Sequence, residues 1–233
     1  GFSSNEIPMT SQIEQSIWDE LHQNNYSVLT LSAVQYTSGI FIDIDWLSRI
    51  KATFPDLLIL VDGTQFVGAH LFDFAAGPID AIFGSSYKWL MAGYGTGFAV
   101  VKKQLLEQLH IPISQLDKAY DRGQLSVKAL GSLAYALNAL LDEDFSSLIE
   151  WKEEITMYLK EGLLKRNLLD DTIVQREKHS SIFNITIDEK SYESLLENNV
   201  RCIWRGKGVR IALHHYNTKE DVDQFFSYLD RMS

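Results

Sequence analysis

Residues 57–65, "LLILVDGTQ", and residues 81–88, "AIFGSSYK", decide the fold. Each is a short apolar run that breaks abruptly into polar residues. Runs nearly continuous in Leu, Ile, Val and Phe suit parallel strands covered on both faces. Open α/β sheets bind ligands beyond the carboxyl ends of such strands. The first run delivers Asp62, Gly63, Thr64 and Gln65 to that edge; the second delivers Ser85, Ser86 and Lys88. A lysine is costly to bury and usually reaches water from a surface. Its place just past a core strand asks for a chemical reason.

Outward from these runs the pattern continues. "YSVLTLSAVQY" (26–36) reads as a preceding strand, "DIDWLSRIKATF" (43–54) as the helix between, and "GFAVVKK" (97–103) as a further strand of the same kind. Ile13, Ile17 and Leu21 recur at steps of four, which predicts an amphipathic helix over 11–23, with Ser11 and Glu14 at capping-box spacing. The order to about residue 110 is α/β. Beyond it come two long helices (125–142 and 145–167), strands at "SSIFNITI", "VRCIWRG" and "GVRIALHHY", and a short helix at "YESLLENN". "NTKEDVDQFFSYLDRM" closes the chain as a helix with Thr218 as N-cap. Strands joined by a turn at Gly206–Gly208 predict an antiparallel sheet carrying helices. The expected architecture is therefore a mostly parallel sheet flanked by helices over residues 1–115, then a linker helix and a smaller α+β domain over 116–233.

The 233 residues are 45% apolar and 22% charged, with a formal net charge of −10 and no basic stripe, which argues against a nucleic-acid binder. A single cysteine, Cys202, excludes an intrachain disulfide and a multi-thiolate metal site. It fits a reducing, cytoplasmic setting. No apolar run approaches the roughly 18 residues of a membrane helix, and the first residues lack the basic and apolar regions of a signal peptide. His214 and His215 stand without an acidic cluster around them, so metal binding is not expected. "GYGTG" (93–97) precedes a strand instead of opening a helix, the wrong context for a dinucleotide fingerprint. Trp18, Trp46 and Trp151 read as anchors of helix cores.

An acid and an amine at one sheet edge could be a structural ion pair. They could equally serve chemistry. A lysine in a desolvated pocket loses basicity and attacks carbonyls. Pyridoxal 5'-phosphate needs such a lysine, together with a carboxylate against its pyridinium nitrogen. Asp62 and Lys88 are candidates for those two roles, and the small hydroxyl residue Ser85 can approach a phosphate and donate to it.

"DGTQFVGAHLFDFAAGPIDAIFGSSYKWLMAGYGTGFAVV" (62–101) resembles the cofactor-lysine segment of the class V aminotransferases, a family of fold-type I pyridoxal-phosphate enzymes that includes cysteine desulfurases. Asp62, Gln65, Asp80, Lys88, Trp89, Leu90, Gly93, Gly95, Gly97 and Phe98 follow the family pattern in order. "SAVQYTSGIFIDIDWL" (32–47) and "GVRIALHHYNTKEDVDQFFSYL" (208–229) are similar to its flanking segments, so the likeness runs from about residue 25 to the C-terminus. It implies that Lys88 carries the Schiff base, Asp62 pairs with the ring nitrogen, Gln65 bonds the phenolic oxygen and Ser85 the phosphate. Arg210 would bind the substrate α-carboxylate, a task that suits a planar fork, with Arg205 as second candidate. The plain alternative for both is a surface arginine on a strand.

The likeness is incomplete. Relatives carry a long segment ahead of this one, with a loop that clasps the phosphate and an aromatic residue that stacks on the ring. The expectation is thus a chain lacking the N-terminal part of the family fold. Tyr87 stands where a histidine is common, and Tyr36 where many relatives have an asparagine. Cys202 lacks the flanking pattern of a desulfurase nucleophile and reads as a small buried hydrophobe. The expected function is amino transfer between an amino acid and a 2-oxo acid, in a homodimer. Cysteine desulfurase or another carbon–heteroatom lyase is the alternative, and a non-catalytic fragment that keeps the fold is a third reading.

Overall fold

The computed structural model describes residues 3–115 and 126–231; the expected linker partly falls outside them. The chain divides into two compact units, one of residues 21–34 and 42–145, the other of residues 1–20, 35–41 and 146–233. Helix α1 (Ile13–Gln23) buries the predicted Ile13, Ile17 and Leu21. Glu14 does not close a capping box: its carboxylate accepts from Arg176 Nη1 at 3.0 Å.

In the unit containing residues 42–145, strands β1 (Val28–Ser32) and β2 (Leu58–Asp62) run parallel, because helix α2 (Ile44–Thr53) supplies the crossover that a parallel return requires. Asp43 caps α2 by accepting from Asp45 N, and Trp46, Leu47 and Ile50 recur at steps of three to four on its buried side. β3 (Ala81–Ser85) adds in parallel with Asp62 opposite Phe83. Ile59, Val61 and Ile82 are wholly buried at alternate positions, the core of this sheet.

β4 (Gly97–Val101) departs from expectation. It pairs antiparallel with β3, from Ser85 opposite Gly97 to Ala81 opposite Val101. The eleven residues 86–96 between them hold no helix, and a reversal without a crossover can only return antiparallel. Gly97 permits the close pairing: a Cβ there would lie 2.6 Å from the Gly84 carbonyl oxygen. The four-stranded order is β1-β2-β3-β4, followed by α3 (Lys103–Gln108) and α4 (Val127–Asp142), whose N-cap is Ser126.

Asp80 ties the opposite end of the sheet. Its carboxylate accepts from Ile59 N at 2.8 Å and from Lys51 Nζ at 2.9 Å.

The other unit contains α5 (Phe145–Lys165), the single turn α6 (Asp171–Val174), β5 (Ile182–Ile185), α7 (Glu189–Glu197), β6 (Ile203–Arg205), β7 (Gly208–Ala212) and α8 (Lys219–Asp230). The three strands form the predicted antiparallel sheet, in the order β5-β7-β6, with Gly206 at φ +61° in the hairpin turn. Ile155, Leu163, Phe183, Ile185, Leu195 and Val209 are wholly buried. Thr218 and Asp221 form the capping box that starts α8. β7 stops at Ala212, short of the expected Tyr216, because Asn217 closes a turn there: its side chain accepts from His214 N at 2.9 Å. Trp151 is not a core anchor; it is partly exposed and donates to Asn217 O at 3.2 Å.

Residues 35–41 belong to this unit. Ser180 Oγ donates to Gly39 O at 2.8 Å, and His179 Nε2 lies 3.1 Å from Ser38 O. Gly39 has φ +76°, and a Cβ there would sit 1.8 Å from Ile182 O, so no side chain fits. No described helix is long and apolar enough to cross a membrane.

Candidate active site

Because β2 and β3 run parallel side by side, their carboxyl ends share one edge, and Asp62, Gln65, Ser85 and Lys88 gather on that side. Hydrogen bonds within and between the two strand ends hold them in place. Gly63 N donates to Phe83 O at 2.7 Å, Thr64 N to Asp62 Oδ1 at 2.9 Å, and Ser85 N to Thr64 Oγ1 at 3.3 Å. The Asp62 carboxylate is exposed and keeps its second oxygen for another donor, while Thr64 links the acid's loop to the lysine's.

Gln65 is buried, and its amide oxygen accepts from the Trp89 indole nitrogen at 2.9 Å. That bond fixes which end of the amide is which: the nitrogen, a donor, is the end left for a ligand. Trp89 is thus a positioning residue that motif reading placed in the pattern without a role.

Lys88 is half-buried at a tight turn, where Met91 N donates to Lys88 O at 3.0 Å. Its Nζ lies 5.1 Å from the Tyr87 ring centre, and Tyr87 packs against Tyr94 at 4.7 Å. Ser86 holds the turn in place. Fully buried, it donates through its hydroxyl to Thr96 O at 2.8 Å and accepts at its carbonyl from Ala92 N at 3.1 Å. Gly93 N donates to Ser132 Oγ of α4 at 2.8 Å. The two serines ahead of the lysine therefore divide: Ser85 lies at the sheet edge, Ser86 inside the loop.

Arg205 and Arg210 lie in the other unit, on the β6–β7 hairpin. Arg210 Nη1 donates to Tyr36 O at 3.1 Å, and the Arg205 guanidinium sits 5.5 Å from the centre of the Tyr36 ring. Burial, then the neighbouring charge of Arg205, lowers the basicity of Arg210. Tyr36, singled out from sequence only as a departure, is the residue on which both arginines converge.

Cys202 precedes β6 and is half-buried, and burial raises its thiol pKa. A nucleophilic thiolate requires the reverse.

These groups suit a pyridine aldehyde bearing a phosphate: a carboxylate to accept from a ring N–H, an amide donor for a phenolate, a hydroxyl donor for a phosphate and an amine for the aldehyde.

Residues 5–225 match the family described as Aminotransferase class-V, starting twenty residues ahead of the recognisable motifs. Alanine–glyoxylate aminotransferase 1 of Saccharomyces cerevisiae is 24% identical over 182 residues, covering 69% of this chain and 47% of its own. A probable cysteine desulfurase of Mycoplasma genitalium is 23% identical over 228 residues, covering 84% and 55%. The crystal structure of the cysteine desulfurase CsdA from Escherichia coli superposes with a TM-score of 0.77 at 19% identity, covering 97% of this chain and 63% of that one. The chain spans about half the length of the curated relatives it matches. With nearly its whole described length inside the family match and the fold of fold-type I enzymes, the chain belongs to the class-V aminotransferase family.

Proposed function

We propose that this chain carries the lysine-bearing part of a pyridoxal-phosphate-dependent aminotransferase, moving an amino group between an amino acid and a 2-oxo acid. One observation carries the reading: Asp62 pairs with Phe83 across neighbouring parallel strands, and Lys88 follows five residues later at the same edge. Pyridoxal phosphate, when bound, draws electrons from the substrate's α-carbon. The Asp62 carboxylate keeps a proton on the ring nitrogen, Gln65 donates to the phenolic oxygen, and the Ser85 hydroxyl donates to the phosphate. With the cofactor bound, the Lys88 amine would take the proton from the substrate α-carbon and deliver it to the carbon that was the cofactor's aldehyde, as general acid–base. Arg210 binds the α-carboxylate through its fork.

The test is direct. Incubating the intact protein with pyridoxal phosphate, reducing with borohydride and mapping peptides by mass spectrometry should place the label on Lys88. Lys88→Ala should lose both the label and the visible absorption band. Label on another lysine overturns the assignment.

A desulfurase reading has the Mycoplasma genitalium relative behind it, but Cys202 is protonated more firmly than an ordinary thiol. A sulfide-release assay beside an amino-donor panel with pyruvate or 2-oxoglutarate separates the two. Self-association is supported by α4, which leaves Val127, Tyr135 and Leu141 more than three-quarters exposed.

A further inference from the structure

We propose that Arg205 and Arg210 act together as a paired cation that selects a substrate with two carboxylates, an acidic amino acid or a dicarboxylic 2-oxo acid. The inference rests on the reading of Arg210 as the α-carboxylate arginine and adds to it the class of side chain the substrate carries.

The register of the hairpin places the pair. Ile203 faces Arg210 and Arg205 faces Gly208, so both arginines project from the same face at diagonal positions. Such positions have Cα atoms about 7–8 Å apart. Two forks at that spacing suit two anionic groups separated by a few carbon atoms better than one small planar anion.

Tyr36 fixes both. Its carbonyl takes one of Arg210's five N–H donors, on Nη1 at 3.1 Å, and leaves Nε and Nη2 for a ligand. Its ring, half exposed, carries the Arg205 guanidinium at 5.5 Å, an attraction that holds a cation without neutralising it. Among the described residues, no carboxylate pairs with either guanidinium. Two unneutralised cations beside each other repel; the basicity of Arg210 is lowered first by burial and then by the charge of Arg205. A dianion lying across the pair relieves it at both ends; a monoanion relieves it at one.

Binding of simple anions tests this without cofactor or turnover. Calorimetric titrations with succinate, propionate and inorganic phosphate at fixed ionic strength give the comparison. Succinate should bind about tenfold more tightly than propionate, the effect of one additional charge-assisted fork. Arg205→Met should bring succinate down to the propionate level and leave propionate within about twofold. Arg205→Lys should keep part of the preference, since charge remains while the fork is lost. Arg210→Met should weaken both acids.

Equal affinities for the two acids, an equal loss of both in Arg205→Met, tighter phosphate than succinate, or no binding of any anion overturns the proposal. If the acids bind equally and Arg210→Met weakens both, the α-carboxylate role of Arg210 stands and only the pairing fails. If Arg210→Met changes neither, that role fails as well, independently of where borohydride places the label.

Discussion

The indole nitrogen of Trp89 donates to the amide oxygen of Gln65 across 2.9 Å, with both side chains buried. A ring two residues from the end of the lysine turn thereby sets the direction of an amide one strand away.

Trp89→Phe keeps most of the ring and removes the donor. The orphaned buried acceptor should lower stability by about 2 kcal/mol in urea denaturation. The amide should then rotate freely and weaken pyridoxal phosphate binding several-fold. Trp89→Phe combined with Gln65→Leu should recover part of the stability and none of the cofactor affinity. A single variant as stable as the parent would show that the bond contributes nothing.

Asp80 works at the other end of the sheet. Asp80→Ala leaves Ile59 N without its acceptor and Lys51 without its counter-ion, and should cost about 3 kcal/mol. Asp80→Asn, which keeps an acceptor, should cost less. Neither should change which lysine borohydride labels. A shift of the label would tie Asp80 to the chemistry instead of to the sheet.

His179 predicts a pH dependence. Burial pulls its pKa from 6.5 to about 4 against partial compensation by the Ser180 and Ser38 carbonyls, with Lys160 and Arg176 adding to the fall. The folded ring stays neutral while the unfolded ring takes a proton, so the unfolded state binds more protons throughout that window. Stability is whole above about pH 6.5 and declines as pH falls towards 4, by roughly 2–3 kcal/mol from this group. His179→Gln should flatten that part of the profile when denaturation midpoints at pH 7.5 and 4.5 are compared. An unchanged difference between the two would assign the acid sensitivity to carboxylates.

The exposed face of α4 predicts association. Tyr135→Glu with Leu141→Glu should halve the mass measured by analytical ultracentrifugation and leave the helical circular dichroism intact, because neither side chain is buried. A parent chain that sediments as a monomer removes the homodimer reading.

Much of this was legible in the sequence, for identifiable reasons. Parallel strands bury both faces, so "LLILV" and "AIFG" announced themselves, and the acid and amine at their ends were placed by chain order alone. Thr218 formed the expected N-cap, because capping depends on a few adjacent residues. What hid were relations between residues far apart in sequence. Nothing local distinguishes Ser86, locked inside the loop, from Ser85 beside it. The direction of β4 depended on loop length, which its apolar run does not encode. Glu14 stood at capping distance from Ser11 yet went to Arg176, a partner 162 positions away. Tyr36 looked like a missing asparagine and turned out to carry two arginines.

The short segment around Gly39 has a last implication, for how this polypeptide can be divided. It leaves β1 in one unit, is fastened to Ser180 and His179 in the other, and returns to enter α2. Severing the gene between α4 and α5 would give two products, each missing the bonds between residues 38–39 and 179–180 that only its counterpart supplies. A nascent chain, likewise, cannot secure residues 35–41 until synthesis has passed position 182. Permuted or split versions should therefore keep that loop covalently joined to the small sheet.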